Sequence, residues 1–256
     1  MLEIHTIPAF QDNYFWLVHA AGSKDAWVVD PGAADPVDAA LAEHGLGLAG
    51  IVVTHHHSDH TGGVSQLAER HGATVIGPVS ERFAAVDRTL TDGDTVEIAG
   101  ATFTVLTVPG HTLDHIAYHS TAEQVLFCGD TLFAGGCGRV FEGTPAQMQA
   151  SLARLAALPP ETRVYCAHEY TLANLAFARR VEPANSDLEA REATARALRD
   201  AGTPTVPSTI GLELATNPFL RWDDPGVRSA AAERRGEEPE GPAEVFAEIR
   251  RWKDAS

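Results

Sequence analysis

Thr54-His55-His56-His57-Ser58-Asp59-His60 is the stretch that decides how this chain folds and what it holds. Three of its histidines and its aspartate, at alternating and adjacent positions, can converge on one point. Imidazole nitrogen and carboxylate oxygen are natural ligands for zinc, iron or manganese. The stretch follows Ile51-Val52-Val53, an apolar run that reads as a strand, so the donors are expected on a loop at a strand's end. Gly62-Gly63 lies just beyond and permits close backbone approach. A helix is predicted next, over Val64–His71. His56 breaks the alternation and is expected to point away. A His-rich tract can also be a solvated loop that traps metal adventitiously. The strand-end position weighs against that.

Three more residues occupy the same kind of place. His111 follows Val105–Val108 and Pro109-Gly110, Asp130 follows Val125–Cys128 and Gly129, and His168 follows Val164–Cys166. In a layered sheet such strand ends can gather on one edge. Seven ligands exceed what one four-coordinate ion takes, and they suit two ions sharing a carboxylate with room left for water. His55, His57 and His111 are assigned to the first ion. Asp59, His60 and His168 are assigned to the second, with Asp130 bridging. The remaining histidines, His5, His19, His44, His71, His115 and His119, carry no ligand spacing and read as surface or structural residues.

The first two-thirds of the chain alternate strand-like and helix-like segments. Strands are expected at Phe15–His19, Ala26–Val29, Ile51–Thr54, Thr74–Ile76, Val125–Cys128 and Val164–Cys166, and a hairpin at Thr95–Ile98 and Thr102–Val108. Asp35-Pro36 reads as an N-cap and first turn, with Gly45 closing that helix. Thr144-Pro145 opens another, with Met148, Leu152 and Leu155 on one face. After about Ala167 strand patterns cease. Helices are expected over Glu169–Glu182 (Leu172, Leu175 and Ala176 inward), from a Ser186–Glu189 capping box to Gly202, and from Pro242 to Lys253. This divides the chain into 1–167, a layered sheet-and-helix domain, and 168–256, a helical one. The alternative is one continuous domain with a helical tail.

Of the 256 residues, 44% are apolar and 21% charged, ordinary for a globular chain able to bury a core without disulfides. Cys128, Cys137 and Cys166 are odd in number and form no CxxC pair, which suits a reducing compartment. Cys128 and Cys166 lie inside apolar strands and read as core. No signal-peptide pattern and no membrane span is read, so a soluble cytoplasmic monomer is expected. The formal charge of −16 disfavours nucleic acid and anionic membrane as partners. An anionic substrate must then be met by a local cluster of cations.

T-H-x-H-x-D-H, present as Thr54–His60, resembles the signature of the metallo-β-lactamase superfamily. That resemblance implies an α+β fold, an αββα sandwich with a dimetal site on one edge, here followed by a C-terminal helical domain. Gly110-His111-Thr112, Phe127–Phe133, Gly136–Arg139, Phe141–Thr144 and Ala167–Thr171 narrow the resemblance to the glyoxalase II family. Asn174-Leu175, Phe177-Ala178, Val181-Glu182-Pro183 and Asn217–Arg221 continue it over almost the full chain. The resemblance implies hydrolysis of S-D-lactoylglutathione and related thioesters to a 2-hydroxy acid and glutathione, with two divalent ions (zinc, or iron or manganese). It places glutathione contacts on Arg139, Phe141, Tyr170, Arg250 and Lys253. Phe141 stands where the family often has Tyr and lacks its hydroxyl. Arg250 and Lys253 are spaced i,i+3 on one flank of the last helix. Ordinary solvated helix charges are the alternative for that pair. Asp59 would orient the attacking hydroxide as well as bind metal. No G-x-S-x-G elbow competes for the nucleophile's role. Rival activities on such a fold are β-lactam hydrolysis, persulfide dioxygenation, nucleic-acid phosphodiester cleavage, and metal binding without turnover.

Overall fold

The computed structural model describes residues 1–256, which divide into two compact units: Met1–Thr107 with Asp114–Gly129, and Val108–Leu113 with Asp130–Ser256. The first unit begins with β1 (Leu2–Ala9), β2 (Asn13–Ala20) and β3 (Asp25–Val29), which run antiparallel. Then come α1 (Ala34–His44), β4 (Gly47–Val52), α2 (Ser58–Thr61), α3 (Val64–His71), β5 (Thr74–Pro78) and β6 (Arg88–Leu90). These strands form one sheet in the order β1-β2-β3-β4-β5-β6, parallel from β3 onward. β7 (Thr95–Ile98), β8 (Ala101–Thr107), β9 (Ile116–Ser120) and β10 (Val125–Gly129) form an antiparallel meander, with β8 paired to both β7 and β9.

Burial explains the strands. β2 is covered on both faces, and its centre, Tyr14–Val18, reads as an apolar run between Asn13 and His19. Ile7, Phe15, Leu17, Val28 and Ile51 line one face of the first sheet and pack with Val37 and Leu41 of α1 and with Val64 and Leu67 of α3. The Tyr118 hydroxyl on β9 donates to the Val53 carbonyl at 2.8 Å, tying the meander to the end of β4. Sequence reading missed β1 and β9. β1 mixes His5, Thr6 and Pro8 into its apolar run, and β9 ends in His119-Ser120 although it is wholly buried. α1 starts at Ala34 with no side-chain cap. Asp35 is therefore not the N-cap, but lies in the first turn, where its charge meets the helix's positive end. Gly45 closes the helix in the left-handed conformation, as expected.

The second unit holds β11 (Leu132–Phe133), β12 (Gly136–Cys137), α4 (Pro145–Ala156), β13 (Arg163–Cys166), α5 (Thr171–Val181), α6 (Ser186–Asp200), β14 (Ser208–Thr209), α7 (Ile210–Thr216), α8 (Pro225–Arg235) and α9 (Pro242–Asp254). Thr144 and Gln147 close a capping box on α4. α6 is capped by Asn185, which accepts from Asp187 N and Leu188 N, so Ser186 is its first helical residue rather than its cap. On α5, Phe177 and Ala178 face inward and Ala176 is exposed, contrary to expectation. A short strand does follow residue 167: β14 pairs antiparallel with β13. Two residues are too few to show a period. α7 and α8 fill the stretch that showed no pattern, yet each has a cap, Thr209 and Asp224.

A buried ion pair anchors this unit. Arg191 donates to Glu213, Thr216 and Ser208. The second Glu213 oxygen accepts from Gly135 N at 2.8 Å and Asn217 Nδ2 at 2.9 Å. Asn217 Nδ2 also reaches the carbonyls of Phe133 and Gly136. With no ionised group left unpaired, the network fixes the β11–β12 hairpin that follows Asp130.

Candidate metal centre

In the first unit the donors leave the end of β4. Thr54 donates from N and Oγ1 to the two oxygens of Asp30, each at 2.7 Å. Because the Thr54 hydroxyl is used as a donor there, it accepts from His55 Nδ1, 3.0 Å away. That fixes the His55 proton on Nδ1 and leaves Nε2 as a lone pair. Asp30 Oδ2 also lies 3.1 Å from His60 Nδ1, with the same consequence for His60 Nε2. Asp30 is buried at the end of β3 with φ of 52°. Sequence reading missed it; the signal was an acidic residue ending an apolar strand before Pro31-Gly32.

His55 Nε2 lies 3.1 Å from His57 Nδ1. The helical turn α2 carries Asp59 and His60, with Asp59 Oδ2 3.4 Å from His60 Nε2. Asn13 Nδ2 donates to the same Asp59 oxygen at 3.1 Å. The turn sits against the loop after Asp30: a Cβ on Gly32 would lie 1.9 Å from the Asp59 carbonyl oxygen. Gly63 likewise makes the close approach its sequence suggested, 2.5 Å from the Ala33 carbonyl carbon. His56 turns to Asp114, 3.0 Å from both carboxylate oxygens. His115 is wholly buried and stacks on His55 with ring centroids 4.5 Å apart.

In the second unit three donors converge from separate segments. His111 Nδ1 is 2.8 Å from the Arg139 carbonyl, so this nitrogen carries the proton. Its Nε2 lies 3.4 Å from Asp130 Oδ2. His168 Nε2 lies 3.4 Å from Asp130 Oδ1. Each carboxylate oxygen of Asp130 thus addresses a different imidazole. Gly110, at φ 154°, and Gly138 make this convergence possible. A Cβ on Gly110 would press on Met148 of α4 at 2.6 Å. A Cβ on Gly138 would lie 2.0 Å from the Asp130 carbonyl oxygen.

The spacing tests whether these groups fit an ion. A tetrahedral ion with ligands at about 2.0–2.1 Å sets neighbouring donors roughly 3.3–3.4 Å apart. The Asp59–His60, Asp130–His111 and Asp130–His168 pairs all stand at 3.4 Å. That is beyond the usual range of a charge-assisted hydrogen bond. The donors are mixed imidazole and carboxylate, with lone pairs oriented by their neighbours. They fit divalent metal ions, and the chain carries His/Asp clusters able to bind them.

Around the second donor set lie the residues expected to touch substrate. Tyr170 stacks flat on His168, centroids 4.8 Å apart, and Phe133 meets both edge-on. Phe141 lies 5.2 Å from the His111 ring and is 63% exposed, unusual for Phe and suited to an apolar contact with a ligand. Arg250 is buried. One of its nitrogens donates to the Cys137 carbonyl at 3.1 Å and another to Asp254 at 2.8 Å, while its Nε is buried with no hydrogen-bond partner. Arg139 Nε lies 3.8 Å from the same Asp254. Lys253 donates to Asn174 Oδ1. Burial, with Arg250 and Arg139 adding repulsion, brings the Lys253 pKa down to about 8.

The fold and the donor sets define a class, and comparison bears this out. The sequence model of the Metallo-beta-lactamase superfamily matches residues 8–168, and that of the Hydroxyacylglutathione hydrolase C-terminus matches residues 169–256. A protein of Pseudomonas aeruginosa (strain LESB58) named hydroxyacylglutathione hydrolase is 56% identical, with 99% of each chain covered. The structure of ETHE1 from Myxococcus xanthus superposes with a TM-score of 0.66 at 24% identity, covering 99% of both chains. TTHA1623, solved in a di-iron-bound form, gives 0.59 at 27% identity, covering 85% of this chain and all of that one. The α+β sandwich with a helical C-terminal region is thus that of the metallo-β-lactamase superfamily. Within it, the chain belongs to the hydroxyacylglutathione hydrolase, or glyoxalase II, family.

Proposed function

We propose that the chain hydrolyses S-(2-hydroxyacyl)glutathione thioesters, S-D-lactoylglutathione foremost, to glutathione and a 2-hydroxy acid (D-lactate). This is the second step of methylglyoxal detoxification by the glyoxalase pair. The observation that carries the proposal is Asp130, each of whose oxygens stands 3.4 Å from a different imidazole, with Tyr170 and Phe141 beside those rings. The name shared by full-length relatives at 56% identity supports the same reading.

Two ions are proposed, zinc first, with iron or manganese accepted by the same donors. His55, His57 and His111 would hold one, and Asp59, His60 and His168 the other, with Asp130 between them. The di-iron form of TTHA1623 supports the count. When bound, such ions supply Lewis acidity that polarises the thioester carbonyl and lowers the pKa of water from about 15.7 toward about 7. Asp59, steadied by Asn13, would accept a hydrogen bond from the attacking oxygen and aim it. Arg139, Arg250 and Lys253 would bind the glutathione carboxylates, supplying local positive charge on an acidic chain. The unpartnered Nε of Arg250 would gain an acceptor from the ligand. Phe141 would contribute apolar contact only. Thiols have a pKa near 8.5, so the leaving group needs no general acid.

Residues 1–167 are proposed as the catalytic domain, carrying six of the seven metal donors, and 168–256 as the substrate-binding domain, which adds His168 and carries Tyr170, Arg250 and Lys253. Cys128, Cys137 and Cys166 are all free and buried, which supports a reducing, cytoplasmic setting. The working form is taken to be a monomer. The deciding assay measures thiol release from S-D-lactoylglutathione alongside elemental analysis. Turnover with about two ions per chain is expected. Metal-loaded protein that frees no thiol from any acylglutathione would end the proposal.

A further inference from the structure

Sequence spacing gave His5, His19 and Glu3 no common role; strand register does. In the β1–β2 pairing Glu3 stands directly opposite His19, and His5 lies two residues further along the face that Glu3 occupies. This face continues the buried layer of Ile7, Leu17 and Leu41 to the rim of the core, where α1 ends at His44. His44 stacks on His5 with centroids 4.0 Å apart.

The side chains converge. His5 Nε2 and His19 Nε2 are 3.0 Å apart, and Glu3 Oε2 is 3.3 Å from His19 Nε2. His19 Nδ1 lies 3.0 Å from the Ala20 carbonyl, which only accepts, so that nitrogen carries the proton. That leaves His19 Nε2 facing a carboxylate oxygen and a second imidazole nitrogen, a cluster of acceptors that needs a proton or a metal cation among them. The separations approach the roughly 3.3–3.4 Å that a tetrahedral ion sets between its ligands. The carbonyl end of α1 adds negative potential to the same rim.

We propose that Glu3, His5 and His19 form a further divalent transition-metal site, using none of the seven donors of the hydrolytic centre. Two imidazoles and one carboxylate suit zinc, with the remaining position left to water. The site joins β1 to β2 at the end of α1, so an ion there staples the edge strand of the first sheet. It lies outside the residues that touch substrate in the proposed reaction, and its effect falls on stability.

The test compares wild type with His5→Gln and Glu3→Gln, each first saturated at the hydrolytic centre and then dialysed against graded Zn²⁺, with bound ions counted by elemental analysis. Wild type should hold one ion more than His5→Gln, and Glu3→Gln should hold that ion about tenfold more weakly. Added Zn²⁺ should raise the Tm of wild type and leave that of His5→Gln unmoved. Turnover on the thioester should be the same in all three. Because the readout is a difference between variants, the number of ions held elsewhere does not enter it. Equal ion counts in wild type and His5→Gln would overturn the proposal and leave the cluster holding a shared proton.

Discussion

Two donor sets of similar chemistry are built in opposite ways. His55, His57, Asp59 and His60 fall within six consecutive residues, and much of their orientation comes from one carboxylate, Asp30, acting through Thr54 and on His60 directly. His111, Asp130 and His168 come from three segments. They are oriented by packing: Gly110 against Met148, Gly138 against the Asp130 carbonyl, and the Glu213–Asn217 network behind the β11–β12 hairpin. A local set can be tuned by one hydrogen-bonding residue. A dispersed set inherits the stability of its whole surroundings.

The sharpest way to break this contrast is to remove one carboxylate from each set. Asp130→Ala and Asp59→Ala should both lose second-ion occupancy. Turnover should fall about a thousandfold, since the Lewis-acid contribution of about 4 kcal/mol corresponds to that factor. Elemental analysis and steady-state rates read both effects together. Near-normal rates in both variants would remove the basis of the proposed chemistry.

Next in size is Asp30→Asn, which keeps the shape and the tolerance of positive φ while removing the charge that orients His60 and Thr54. Metal affinity should drop about 10- to 100-fold, and the ions should leave faster on dialysis against a chelator. Gly138→Ala probes the dispersed set instead. Its new Cβ would meet a backbone carbonyl at 2.0 Å, so the backbone must move. A cost of about 1–3 kcal/mol is expected, read as a lower Tm of the metal-free protein. If Asp30→Asn lowered that Tm more than Gly138→Ala did, the assignment of tuning to one set and packing to the other would be reversed.

This contrast also explains what the sequence made legible. The contiguous set announces itself through residue spacing after a strand. His111, Asp130 and His168 were found because each follows an apolar strand, a weaker signal made useful by repetition. Asp30 and Asn13 escaped because each acts through a hydrogen bond to a residue far along the chain, and nothing local marks that partner. The His5–His19 cluster escaped because β1 was not recognised, and without its register the two rings have no relation. Among the helices, α7 and α8 were missed although Thr209 and Asp224 cap them as Thr144 caps α4. In α7, only seven residues long, Ile210, Leu212 and Leu214 alternate as in a strand, and in α8 Val227 is the only large apolar residue, so neither cap is followed by a helical stripe. Exposure of Ala176 in place of Phe177 shows how a helix phase shifts by one residue when Ala and Leu fill most positions.

The smallest expected effect sharpens the binding side of the dispersed set. Lys253 carries its charge below a pKa of about 8 and loses it above. If it meets a glutathione carboxylate, the KM for S-D-lactoylglutathione should be lowest below about pH 8 and rise by a few-fold above it, with kcat little changed. Bound carboxylate would stabilise the protonated amine and move this breakpoint upward in the complex, so kcat/KM, which reports the free enzyme, is the quantity to follow. Lys253→Arg should abolish the breakpoint, because a guanidinium keeps its charge throughout. Lys253→Ala combined with Arg250→Ala should raise KM at every pH. A breakpoint that persisted in Lys253→Arg would assign the titration to another group and leave Lys253 a structural partner of Asn174.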